Sequence, residues 1–315
     1  MKSHALLSNT ILTLLLFLCS GVQGQVTGAT DASSVDLSSL TKQAQSGNPK
    51  AAYSLGLYYM RETRSPNYEE AAKWFKASAA AGNADAQLAL GYLYEHGKGV
   101  ARDYHEAMNY YADAAKQGDS DAENNLGSMY GRGEGVRTDP AAAAQWYRAS
   151  ADHGNVIAQC NLASLYFLGT GVGQDYSQAA KWFRAAADRG FAPAQDDLAS
   201  LYFTGKGVPA DVPEAAKWVR LAAEQGYARA QTDLGYLYEQ GKGVHLDYVQ
   251  AYAWYSLAKA GGDKRADARR HDLSRVMTPQ QKTEARERAL EAGRTLRPSK
   301  DADLSFFENA LAPIH

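Results

Sequence analysis

Residues 154–187 read GNVIAQCNLASLYFLGTGVGQDYSQAAKWFRAAA, and the chain repeats this stretch with variations. A glycine recurs every 36 residues at Gly82, Gly118, Gly154, Gly190, Gly226 and Gly262, with Gly47 one residue out of register. Four residues after each glycine stands an alanine: Ala51, Ala86, Ala122, Ala158, Ala194, Ala230 and Ala266. Eight residues after come Leu55, Leu90, Leu126, Leu162, Leu198 and Leu234, each followed by Gly or Ala. Twelve residues after come Tyr59, Tyr94, Tyr130, Tyr166, Tyr202 and Tyr238. Offsets of 4, 8 and 12 share one face of an α-helix, so each repeat opens with a helix, termed A, that buries this face.

A G-x-G-V element then interrupts the period, at Gly97–Val100, Gly133–Val136, Gly169–Val172, Gly205–Val208 and Gly241–Val244. Two glycines one residue apart predict positive φ, which ends helix A and turns the chain back. Asp103, Asp139, Asp175, Asp211 and Asp247 follow as N-caps of a second helix, B. Helix B carries Ala71, Ala107, Ala143, Ala179, Ala215 and Ala251 and, three residues on, Trp74, Tyr110, Trp146, Trp182, Trp218 and Trp254. A single helical pair of this length cannot bury its own apolar face, so the pairs must stack. Small residues allow close helix approach and large rings fill the space beside them. On this reasoning the Trp column is expected to be a core knob rather than a ligand stripe. The Tyr column is expected in the core too, with hydroxyls reaching partners near the helix end.

The run Gly154-Asn155-x-x-Ala158-Gln159-x-x-Leu162-Ala163-x-Leu165-Tyr166-x-x-Gly169-x-Gly171-Val172-x-x-Asp175-Tyr176 resembles the Sel-one-like repeat, as does Lys181-Trp182-Phe183-Arg184-x-Ala186-Ala187 after it. The resemblance covers six repeats, residues 47–262, and implies an all-α, right-handed α-solenoid of stacked helix-turn-helix repeats, akin to tetratricopeptide superhelices. The first repeat departs from the pattern, with Arg61 to Pro66 in place of the glycine loop. Around the repeats, residues 25–46 read as a flexible linker and an N-capping helix that starts at Asp36. Residues 263–296 read as C-terminal capping helices, with Thr278-Pro279-Gln280-Gln281 as a capping box. Residues 297–315 read as a tail in which Leu304, Phe306 and Phe307 stand out as apolar.

The first 24 residues read as a signal peptide: Lys2, an apolar run from Ile11 to Cys19, and small residues at Val22 and Gly24 before a cleavage point at Gln25. The expected location is therefore periplasmic or secreted, with no transmembrane segment in the mature chain. Lys and Arg total 33 against 35 Asp and Glu, a net charge of −2, which argues against nucleic acid as a partner. None of the seven His pairs with another at i, i+4, so no helix-borne metal site is expected. No G-x-S-x-G, S-x-x-K or P-loop occurs. Cys160 reads as a packed or groove-facing thiol. No cofactor, metal or catalytic residue is expected.

The resemblance implies a non-enzymatic interaction scaffold that docks a protein or peptide on its concave face. A carbohydrate or cell-wall binder is one alternative. A β-lactamase-like enzyme is another, but the cysteine-rich relatives described that way carry a cysteine pair in each repeat. By the register of tetratricopeptide relatives, the concave positions lie 3, 6, 10, 13 and 14 residues after each boundary glycine. In the fourth repeat these include Ile157, Cys160, Phe167 and Leu168, and Phe203 follows in the fifth. These five residues are the expected partner-binding patch, on the premise that they are exposed.

Overall fold

The structure, a computed structural model, describes residues 36–61 and 66–296. The expected signal peptide and linker, the irregular loop of the first repeat and the tail lie outside the described residues. The described chain holds fifteen α-helices and no strands. Helix α1 (Leu37–Gln45) is capped by Asp36, whose carboxylate accepts from the amides of Ser38 and Ser39. The A helices follow as α2 (Pro49–Arg61), α4 (Ala84–His96), α6 (Ser120–Arg132), α8 (Val156–Leu168), α10 (Ala192–Thr204) and α12 (Ala228–Gln240). They alternate with the B helices α3 (Tyr68–Ala80), α5 (Tyr104–Ala115), α7 (Pro140–Asp152), α9 (Tyr176–Ala187), α11 (Val212–Glu224) and α13 (Tyr248–Ala260). The caps are α14 (Lys264–Ser274) and α15 (Pro279–Thr295), the latter opened by the Thr278–Gln281 capping box. The result is an all-α solenoid. The described residues form two compact units whose boundary falls inside α8: those from 36 to 162 with 170–172, and those from 163 to 169 with 173–296.

The two glycines of each loop do different work. Gly205 takes φ +71° and caps α10, donating its amide to the Leu201 carbonyl. Gly207, also at φ +71°, presses on the first turn of α9: a Cβ there would stand 2.0 Å from the Tyr176 carbonyl oxygen. The loop closes when the Asp211 amide donates to the Tyr202 carbonyl at 2.9 Å, and the Asp211 side chain then caps α11. The Tyr column is half-buried, and two of its hydroxyls meet arginines from helix B: Arg184 donates to Tyr202, and Arg220 to Tyr238 at 2.8 Å.

The Trp column is not the deepest one. Trp182 and Trp254 are buried as expected, but Trp74, Trp146 and Trp218 are half-buried, whereas in the next column Phe75, Tyr111, Phe183 and Tyr255 are fully buried and Tyr147 half-buried. One residue turns about 100° around the helix, which aims these rings at the small residue after the helix A leucine. A Cβ on Gly91 would stand 2.4 Å from Tyr111, and one on Gly56 2.5 Å from Phe75. In these repeats the knob sits in a glycine socket on helix A, whereas in the fourth repeat Phe183 is buried opposite Ala163. For two of these rings helix A supplies an acceptor: Tyr111 donates to Glu95 at 2.7 Å and Tyr255 to Glu239 at 2.5 Å.

Candidate functional site

In the C-terminal unit a cavity of about 650 Å³ opens on α10, α12 and the start of α14. Phe203 and Thr204 from α10 and Tyr236 from α12 line it at the expected concave positions, and Ala199, Ala215 and Val219 line it from the core. The Lys242 ammonium lies over both rings, 5.5 Å from the Phe203 centroid and 5.1 Å from that of Tyr236. The Arg269 guanidinium covers Tyr236 as well, at 4.6 Å.

Charge in this cavity is organised by two arginines. Arg229 Nε lies 2.8 Å from Asp196 Oδ2, and its Nη2 donates to Asp197 Oδ1 at 2.8 Å. Arg265 Nη2 donates to Asp263 Oδ2 at 2.7 Å and to the Arg229 carbonyl at 3.3 Å, while Nη1 reaches Asp233 at 3.3 Å. Burial pushes the Asp196 and Asp197 carboxyls up, against the opposing pull of Arg229. Burial acts on Asp263 too, but hydrogen bonds from Arg265 and from the Thr232 hydroxyl outweigh it and hold that carboxyl below its usual range. Asp196 and Asp263 are tucked in, their side chains 2% and 12% exposed, and Arg265 is turned outward at 39%, whereas Arg229, at 18%, lies deeper than Asp233, at 24%.

The five expected docking residues do not form one exposed patch. Ile157 and Cys160 fall in the N-terminal unit and are fully buried; Phe167, in the C-terminal unit, is buried as well. Leu168 and Phe203 are half-buried. The premise of exposure fails at the first three: in the N-terminal unit successive A helices come within side-chain contact around Ile157 and Cys160, and Phe167 is covered by helix B and the next loop. In the N-terminal unit Asn161 Nδ2 donates to Asn124 Oδ1 at 3.1 Å, and Asn155 Nδ2 to Asp121 Oδ1 at 2.7 Å. Phe167 packs edge-on against Tyr176, 5.2 Å between centroids, and the Lys206 ammonium lies 5.3 Å from its centroid. Of the five, Phe203 alone lines the cavity.

Sequence reasoning missed Tyr236, Arg229, Arg265 and Val219. A signal for the last was present: the column after the Trp reads Phe75, Tyr111, Tyr147, Phe183, Val219, Tyr255, so the fifth repeat lacks a ring.

Among the described residues no helix is long and apolar enough to cross a membrane. The chain is similar to a Sel1 repeat protein from Oxalobacter formigenes, at 29% identity over 70% of this chain and 93% of that one, with a TM-score of 0.62. It also matches the solved structure of c5321, a protective antigen of uropathogenic Escherichia coli with an SLR fold, at 26% identity over 86% and 89% of the two chains but a TM-score of 0.30. No curated protein sequence matches it detectably. The Sel1 repeat profile matches six consecutive segments, 49–83, 84–119, 120–155, 156–191, 192–227 and 228–263. Their period, their paired helices and their glycine loops are those described above, and the chain belongs to the Sel1 repeat family.

Proposed function

We propose that the protein is a non-enzymatic docking scaffold that takes a protein or peptide partner along the A-helix face of its C-terminal unit. Sel1 repeat proteins typically mediate protein–protein interaction, which supports the class. The observation that carries the site is the cavity between α10 and α12, where Phe203 and Tyr236 stand beside a cationic rim. Aromatic side chains beside arginines are the commonest energetic anchors of interfaces. The ionic groups within the cavity are tied to one another, as expected of a rigid binding surface. The reading of residues 1–24 as a cleaved leader supports a periplasmic or secreted location, and an N-terminus at Gln25 in protein from the envelope or medium would bear it out.

Site-specific photocrosslinking tests the docking face. A photoreactive residue at Ser200, in the cavity wall, should capture a partner in the native envelope, and one at exposed Lys217 on α11 should not. Arg265→Glu should abolish capture from position 200. Equal capture from both positions would overturn the assignment, and nitrocefin turnover by the purified protein would overturn the non-enzymatic reading.

A further inference from the structure

The sixth repeat explains the shape of the cavity. There Gly235, Ala251 and Tyr255 meet: a Cβ on Gly235 would stand 2.7 Å from the Tyr255 ring and 3.1 Å from the Ala251 carbonyl oxygen. The same three places 36 residues earlier hold Ala199, Ala215 and Val219, and all three line the cavity. The residue 36 before Glu239, the acceptor of the Tyr255 hydroxyl, is Phe203, which lines it too. The fifth repeat thus lacks both the ring and the acceptor for its hydroxyl. What remains is an apolar hole suited to a phenyl group rather than a phenol.

The chain itself carries such groups nearby. Leu296, the last described residue, packs against the same apolar cluster that includes Ala199, Ala215, Val219 and Phe203. It follows α15, whose C-terminal turn lies on α13: a Cβ on Gly293 would stand 3.5 Å from Leu257. The α13 helix then leads into Gly261 and Gly262, which border the cavity. Beyond Leu296 the sequence runs Arg297-Pro298-Ser299-Lys300-Asp301-Ala302-Asp303-Leu304-Ser305-Phe306-Phe307-Glu308. From Leu296 to Phe306 an extended chain reaches up to about 33 Å, ample for a return to a cluster it already touches.

We propose that the segment Leu304-Ser305-Phe306-Phe307 is the occupant of this cavity, one phenylalanine ring taking the place that Tyr255 fills in the sixth repeat. Charge agrees with this choice. Asp301, Asp303 and Glu308 flank the segment, and exposed Lys264 and the outward-turned Arg265 stand in the cavity wall, with the Lys242 ammonium beside it over the Phe203 and Tyr236 rings. The proposal rests on the reading of this face as a docking surface, and makes the tail a competitor for any partner there.

The test uses the full chain and a labelled synthetic peptide of residues 299–309. Wild-type protein, already occupied, should bind the peptide weakly. The Phe306→Ala/Phe307→Ala chain should bind it at least tenfold more tightly, and adding Val219→Phe to that chain should remove the binding. A melting temperature for Val219→Phe at or above wild type would certify that this variant folds. Peptide binding that ignores Val219→Phe, or is absent from the emptied chain, overturns the proposal. If the peptide fails while crosslinking from position 200 persists, the docking reading stands without the tail. If the peptide binds and crosslinking fails, the cavity serves the tail and that reading falls.

Discussion

Gly91 on α4 faces the ring of Tyr111 on α5 so closely that a methyl group on Gly91 would stand 2.4 Å from it. That contact is far inside van der Waals range, and both partners sit in the packed core of the N-terminal unit. Gly91→Ala should therefore destabilise the protein by about 2–4 kcal/mol through overpacking. Tyr111→Val alone should cost about 3–5 kcal/mol as a cavity. The double variant recreates the Ala199–Val219 arrangement of the fifth repeat and should cost clearly less than the sum. Denaturant melts of the four proteins measure the coupling, and strict additivity would refute the socket.

The depth order within helix B gives a second test. Phe75 is fully buried and Trp74 half-buried, though tryptophan is the larger residue. Phe75→Ala should cost about 3–5 kcal/mol. Trp74→Ala should cost less, about 1–2 kcal/mol, since its side chain is only half-buried. A larger loss for Trp74→Ala would restore the tryptophan as the knob.

The solenoid was legible because its signal is redundant: each helix carries several periodic columns, and they agree on its place. Asp36, Pro140 and the Thr278 capping box stand where the residue types predict. The site was less legible. Phe203 was found because it occupies a concave register position, but register does not state depth. Ile157 and Cys160 share that register and are buried, since the approach of successive A helices depends on side chains such as Asn124 and Asn161 that a pattern search treats as polar surface. The cavity itself follows from a single absence, the missing ring at Val219.

A ring at that position should fill space rather than create strain. The fourth repeat has Ala163 and Phe183 at the places of Ala199 and Val219, and Phe183 is fully buried there. In the Phe306→Ala/Phe307→Ala chain, where no tail ring fills the hole, Val219→Phe should accordingly raise stability by about 1 kcal/mol, read as a higher melting temperature. A loss of stability would show that the hole cannot hold a phenyl group.

Asp121 predicts a pH dependence in the N-terminal unit. Burial, and then the neighbouring Asp119, push its carboxyl up to about 7, against the hydrogen bond from Asn155. The folded state therefore keeps a proton that the unfolded chain releases near pH 4. Stability must fall as pH rises from about 4 to about 7. Asp121→Asn keeps an oxygen for Asn155 and removes the charge. It should stabilise the protein by about 1–3 kcal/mol at pH 8 and leave it nearly unchanged at pH 4. An equal effect at both values in urea titrations would reject this account.

The contact of Gly207 with the Tyr176 carbonyl has counterparts in the other loops: Gly99 with Tyr68, Gly135 with Tyr104, Gly171 with Pro140 and Gly243 with Val212, always 31 residues back. Each joins main chain to main chain, so it is indifferent to the side chain present, be it tyrosine, proline or valine. Such a joint makes repeats interchangeable parts. A gene segment encoding 36 residues can be duplicated or lost in frame, and the junction it leaves has the same atoms as the one it replaced. The array can lengthen or shorten in one mutational step while its outward-facing residues diverge freely.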